Sequence, residues 1–166
     1  MKKSVQETTF LQKVGFPKID FELEMPEGPV LAVFDERLLS QALINVIKNA
    51  AEAIEAVEDE QKGKISVKVS IIGENAIIDI TDNGKGLPKT DRQKLLEPYM
   101  TTREKGTGLG LAIVRKILDD HDGRIELMDS PEVVKGGRGA LMRLVLPVAQ
   151  QQKSKAEKVL EAEDAD

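Results

Sequence analysis

The chain has 166 residues, with 24 Lys and Arg against 29 Asp and Glu, a net charge of -5, and no cysteine. Absence of cysteine excludes disulfides and thiolate metal sites, and with no basic stripe phosphate-neutralising nucleic-acid binding is not expected. No apolar run nears the roughly 18 residues of a membrane span, and Met1-Lys2-Lys3-Ser4 has no apolar core behind it, so no signal peptide is expected either.

The length suits one domain with room for a tail. Residues 1–17 form a lead-in in which Val5 to Val14 fits either a strand or a short helix. From Lys18 to Glu24 apolar and charged residues alternate, the mark of a half-buried strand. Met25-Pro26-Glu27-Gly28-Pro29 is a turn, and Val30 to Phe34 is expected to be a second short strand. Asp35 is a good N-cap for a helix running to about Val57. In that helix Leu39, Leu43, Val46, Ile47, Ala50, Ile54 and Val57 fall within an arc of about 100°, so one face is buried.

Two strands follow, Lys64 to Ile72 and Ala76 to Thr81, joined by the tight turn Gly73-Glu74-Asn75. From Asp82 to Gly106 the chain is mostly loop, with at most a short helix around Arg92 to Leu96. A loop this long in a compact domain is functional or disordered. Residues 108–120 form a second amphipathic helix with Leu109, Ile113 and Ile117 on one face. Arg124 to Met128 and Ala140 to Leu146 are two more strands, and Pro147 closes the domain. The stretch 148–166 is rich in charged residues, Ala and Gln, and is expected to be disordered or a frayed helix.

Asn45 and Asn49 lie four apart on the first long helix, on one side and beside its apolar stripe. An amide oxygen can ligate Mg²⁺, which takes few protein oxygens and fills its shell with water and phosphate. Asp82-Asn83-Gly84-Lys85-Gly86 follows a strand directly. A buried carboxylate at a strand end can accept from the exocyclic amine of adenine, and glycines let backbone approach a base. Gly106-Thr107-Gly108-Leu109-Gly110 opens a helix, whose N-terminal N–H groups attract phosphate. Taken singly, each motif is also an ordinary turn or a pair of surface amides. The segment before Gly106 is not a strand, so a dinucleotide fingerprint fails. No Gly-Lys-Ser or Gly-Lys-Thr occurs, so a P-loop fails as well.

In this order the motifs closely resemble the catalytic and ATP-binding domain of sensor histidine kinases, within the wider family that includes gyrase, Hsp90 and MutL. The resemblance covers residues 18–147. Asn-Ala-Ala-Glu-Ala at 49–53 and Glu-Pro-Tyr-Met-Thr-Thr at 97–102 narrow it to nitrogen-regulation sensors, of the NtrY type above all. The resemblance implies an α/β (α+β) two-layer sandwich of the Bergerat type: a mixed sheet with helices on one face, binding ATP and Mg²⁺ beneath a lid at 87–106. It implies Asn49 as the Mg²⁺ ligand with Asn45 assisting, Asp82 as the adenine reader, and Gly84, Gly86 and Leu87 at the base. Thr101, Thr102, Arg103 and Lys105 would lie near the phosphates, and Gly106, Thr107, Gly108, Leu109 and Gly110 would wrap them. Gly137 and Gly139 resemble a weaker third glycine motif.

Hydrolytic relatives carry Glu where this chain has Asn45, and an amide cannot take a proton from water. The resemblance therefore implies phosphotransfer without strong hydrolysis. It also implies that the acceptor is a histidine on a separate dimerisation hairpin. The sole histidine, His121, stands before a Gly turn, where it is expected to cap a helix. The expected protein is thus a protein-histidine kinase catalytic domain: a monomer by itself, coupled through its hairpin to a response regulator, and the cytoplasmic part of a parent that can be membrane-anchored. The alternatives are a small serine kinase of the anti-sigma-factor type and a non-catalytic nucleotide-binding module.

Overall fold

The computed structural model describes residues 1–99 and 108–149. Its chain order is α1 (Lys2–Gly15), β1 (Asp20–Glu24), α2 (Glu36–Glu55), β2 (Lys64–Ile72), β3 (Asn75–Asp82), α3 (Gly110–Asp120), β4 (Arg124–Asp129) and β5 (Ala140–Pro147), with short 3₁₀ turns at Arg92–Leu96 and Pro131–Lys135. The ambiguous lead-in is a helix.

The five strands form one mixed sheet in the order β1-β2-β3-β5-β4. Only β1 and β2 run parallel; the other pairs are antiparallel. The hairpin between β2 and β3 turns at Gly73, whose φ of +59° is the left-handed conformation a two-residue turn requires. Alternation along the strands sends Ile65, Val67, Val69, Ile78, Ile80, Leu144 and Leu146 to one face, where they are buried. The α2 stripe (Leu39, Leu43, Val46, Ile47, Ala50) and Val114, Ile117 and Leu118 of α3 pack in the same core. Ile113 and Leu109 are only partly buried, so the apolar face of α3 is rotated from the expected one toward Val114 and Leu118. Asp35 caps α2 as expected, its Oδ1 accepting from the Leu38 N–H at 3.1 Å.

Val30 to Phe34 does not form the expected strand. Ala32 makes a single bridge to Val148, and the Leu31 carbonyl accepts from the Ala149 N–H at 2.8 Å. The neighbouring strand has already ended at Pro147, which has no N–H to offer.

The other sheet face carries charge in register. Glu24, Lys68, Asp79, Arg143 and Glu126 stand in one row across all five strands with alternating sign. At its centre Arg143 grips Asp79 with two parallel bonds of 2.7 and 2.9 Å. A one-residue slip of β3 against β5 would break this fork and turn Ile78 and Ile80 outward, so both faces specify the same register.

Gly123 makes the turn from α3 into β4 tight. A β-carbon there would come within 2.2 Å of the Val145 carbonyl oxygen. Gly123→Ala is expected to destabilise the domain by about 1–3 kcal/mol through forced backbone displacement. Urea unfolding should show an earlier midpoint; an unchanged midpoint would contradict this packing.

Candidate functional site

Helix α2 meets parts of both glycine motifs: Ala53 packs against the turn that follows β3, and Asn49, one turn earlier, lies beside the start of α3. Asp82 is the last residue of β3 and is only 5% exposed. Its Oδ1 accepts from the Gly84 N–H at 2.8 Å, and the Ala140 N–H also bonds to the carboxylate. Burial pushes this carboxyl up to about 6, against the lowering effect of those two N–H donors. At neutral pH it is therefore ionised and acceptor-only. A carboxylate offers about four acceptor positions, so two bonds leave capacity for an exocyclic amine.

Glycines allow this crowding. A β-carbon on Gly84 would meet the Ala53 carbonyl carbon at 2.4 Å, and the next N–H, of Lys85, donates to the Ala53 oxygen at 3.0 Å. The β3 end is thus pressed onto α2. Gly86 takes a φ of +81° and lies against Gly139, whose own φ is +123°. Leu87 is partly buried against the core.

On α2, Asn49 and Asn45 are half-buried, one turn apart. The Asn49 Nδ2 donates to the Asn45 carbonyl at 3.1 Å. This commits the nitrogen to the helix, so Oδ1 is the end of the amide with the chemistry to ligate a cation. A β-carbon on Gly110 would sit 3.7 Å from that Nδ2, so the first residue of α3 abuts the Asn49 amide. The helix N-terminus that favours anions therefore meets the amide that can hold a cation.

The stretch from Leu87 to Tyr99, where the expected lid begins, is tied down at several points. Arg92 donates to the Pro88 carbonyl at 2.7 Å and pairs with Asp129, while Leu96 is buried. The Tyr99 N–H donates to the Gly108 carbonyl at 2.8 Å, bringing the two ends of the segment together. Thr101, Thr102, Arg103, Lys105, Gly106 and Thr107 lie outside the described residues. Leu109 caps α3 and Gly108 takes a φ of +71° just before it.

His121 is the C-cap of α3, as expected, and does more. Its Nδ1 lies 2.6 Å from the Ile117 carbonyl, and its Nε2 accepts from the Asp35 N–H at 3.0 Å. A neutral ring protonated at Nδ1 satisfies both. His121 therefore ties the end of α3 to the start of α2, with both nitrogens engaged.

The family model described as histidine kinase-, DNA gyrase B-, and HSP90-like ATPase matches residues 34–150. The chain belongs to this family. Among curated relatives of this ATPase family, the nitrogen regulation protein NtrY of Azorhizobium caulinodans is 55% identical over 148 residues, covering 88% of this chain and 18% of that protein. The mycobacterial sensor histidine kinase MprB superposes with a TM-score of 0.76 at 26% identity, covering 89% of this chain and 95% of that one. The histidine kinase ThkA in complex with the response regulator protein TrrA gives a TM-score of 0.70 at 25% identity, covering 90% of this chain and 40% of that one. The chain is thus a histidine-kinase-type ATPase domain with the mixed-sheet Bergerat fold of its structural neighbours, and it spans about a fifth of the curated relative's length.

Arg138 and Ala140 lie outside the sequence motifs, and Ala53 and Asn83 stand inside motifs that gave them no role of their own. Arg138 stands between Gly137 and Gly139, and a charge enclosed by glycines is the one signal that could have marked it.

The raised carboxyl has a measurable consequence. In the unfolded chain Asp82 ionises near 3.8, in the folded domain near 6. The folded state binds this proton more tightly, so the stability it contributes is full below the lower value and lost as pH rises through the upper one. Relative to Asp82→Asn, the nucleotide-free wild type should lose about 3 kcal/mol between those two limits. Urea unfolding across that range checks this; parallel pH profiles for the two proteins would refute it.

Proposed function

We propose that this domain binds ATP with Mg²⁺ and donates the γ-phosphoryl group to a histidine on a separate dimerisation hairpin, as the catalytic part of a two-component sensor kinase of nitrogen-regulation type. The observation that carries this reading is the meeting of the Asn49 amide with Gly110 at the start of α3, one turn of α2 before Ala53 packs against the turn after the buried Asp82.

The residues suit the group. Asp82 keeps acceptor capacity at the end of β3, between glycines where a base can approach. Among the described residues no cluster of three or more His, Asp or Glu could hold a metal by itself. An amide oxygen with phosphate and water is the kind of shell Mg²⁺ accepts. Bound ATP·Mg²⁺ supplies the transferable phosphoryl group and the charge that screens it.

Asp82 would accept from the adenine amine, with Gly84, Gly86 and Leu87 beside the base. Asn49 would ligate Mg²⁺ through Oδ1, assisted by Asn45. The N–H groups opening α3 would face the phosphates, with Gly106 to Gly110 wrapping them and Thr101, Thr102, Arg103 and Lys105 close by. Asn45 cannot serve as a general base, so attacking water is left unactivated and the phosphoryl group is kept for the histidine. His121, with both nitrogens engaged, is not that acceptor. The partners are the hairpin and, through it, a response regulator. The domain would work on the cytoplasmic side of a membrane-anchored parent.

Calorimetric titration with ATP and Mg²⁺ should show Asp82→Ala binding roughly ten- to a hundredfold more weakly, the loss of a charged hydrogen bond. Equal affinities would remove Asp82 as the adenine reader. Adding a separately prepared histidine-bearing hairpin should give label transfer from ATP onto that hairpin, with little free phosphate; rapid phosphate release without transfer would point to an ATPase instead. Sedimentation of the domain alone should show a monomer, and a tight dimer would contradict that part of the proposal.

A further inference from the structure

Arg138 lies in the connection entering β5 and reaches back over the end of β3. Its Nε donates to the Asn83 carbonyl at 3.0 Å, and its Nη1 pairs with Asp59 in the connection between α2 and β2. Asn83 is held from every side. Its Oδ1 accepts from the Lys64 N–H at 2.8 Å, its Nδ2 donates to the Lys62 carbonyl at 2.9 Å, and its own N–H reaches the Lys64 carbonyl at 3.3 Å. Asn83 stands between Asp82 and Gly84, the residue whose N–H bonds the Asp82 carboxylate.

The backbone that carries Arg138 touches Asp82 as well. A β-carbon on Gly139 would fall 1.8 Å from the Asp82 carbonyl oxygen, and the Ala140 N–H bonds the Asp82 carboxylate. One short segment therefore fixes the reading carboxylate twice. Gly139 packs against the Asp82 backbone, the Ala140 N–H bonds the carboxylate itself, and the Arg138 side chain holds the turn that supplies its other donor. The Arg138 and Asp59 side chains are 34% and 37% exposed, so their charge attraction by itself is screened and small. What the guanidinium adds is geometry. Its planar fork bonds a carbonyl and a carboxylate at once, which a single ammonium on a flexible stem does poorly.

We propose that Arg138 is a positioning residue for adenine recognition, clamping Asn83 to Asp59 so that the turn from Asp82 to Gly84 holds the carboxylate aimed at the exocyclic amine. This rests on Asp82 being the adenine reader. The test uses the whole 166-residue chain and compares affinity for ADP with affinity for inosine diphosphate, which carries an oxygen in place of the amine, both with Mg²⁺. Arg138→Ala should weaken ADP binding roughly three- to tenfold while leaving inosine diphosphate nearly unchanged, so the preference between them falls by that factor. Arg138→Lys should not restore the preference. Asp59→Asn, a milder change in an exposed connection, should lower it in the same direction and serves if Arg138→Ala unfolds. Asp82→Asn is the reference and should abolish the preference. If Asp82→Asn abolishes it while Arg138→Ala and Asp59→Asn leave it intact, or weaken both nucleotides equally, Arg138 is structural and the proposal is overturned. If Asp82→Asn itself leaves the preference untouched, the adenine-reader assignment fails and this proposal with it.

Discussion

At the end of β3 three stretches of backbone pass closer than side chains would allow. Gly139 crosses Asp82 where a β-carbon would fall 1.8 Å from the carbonyl oxygen, and Gly84 is pressed onto the Ala53 carbonyl of α2. This close approach lets the Gly84 and Ala140 N–H groups converge on one buried carboxylate. It also sets how far β3, α2 and β5 stand from one another, and so where the candidate base site opens. The burial that raises the Asp82 carboxyl costs folding stability at neutral pH. Such a cost is common where a charged group is kept for binding rather than for packing.

The sheet tolerates that local cost because its register is specified on both faces. The inner face alternates branched aliphatic side chains against α2 and α3. The outer face carries a row of alternating charges centred on the Arg143–Asp79 fork. The exposed pairs along β1 and β2, such as Lys64 with Glu22, are screened by solvent and contribute little to stability. Their use lies in penalising the wrong alignment of a short edge strand.

The two helices that frame the site are joined at both ends. Near the site, the Asn49 amide abuts Gly110. At the far end, His121 accepts from the Asp35 N–H while facing the Ile117 carbonyl of its own helix. Phe34, Leu39, Ile117, Leu118 and Leu146 line the apolar surroundings of that ring. A rigid pair of helices suits a site in which an amide on one must stay in register with the N–H groups opening the other. The replacement of a base-capable carboxylate by Asn45 then biases the proposed chemistry from hydrolysis toward transfer.

Much of the fold was legible in the chain because it is written in local periodicity. The α2 stripe, the Asp35 cap, the hairpin at Gly73 and the short turn at Arg92–Leu96 follow from patterns spanning a few residues, and the structure has each of them. The order of the amide pair and the two glycine motifs also determined the family. The local pattern misled where the outcome rested on a partner: Val30 to Phe34 has strand-like residues, but β5 ends at Pro147 and leaves it almost nothing to pair with. Only the tertiary structure brought Arg138 to Asn83 and Asp59, 55 and 79 residues away, and His121 to Asp35, 86 residues away. Sequence spacing holds no trace of such contacts, since they arise from the packing of whole layers. The depth at which Asp82 is buried was likewise decided there, because burial belongs to the assembled neighbours and not to the residue.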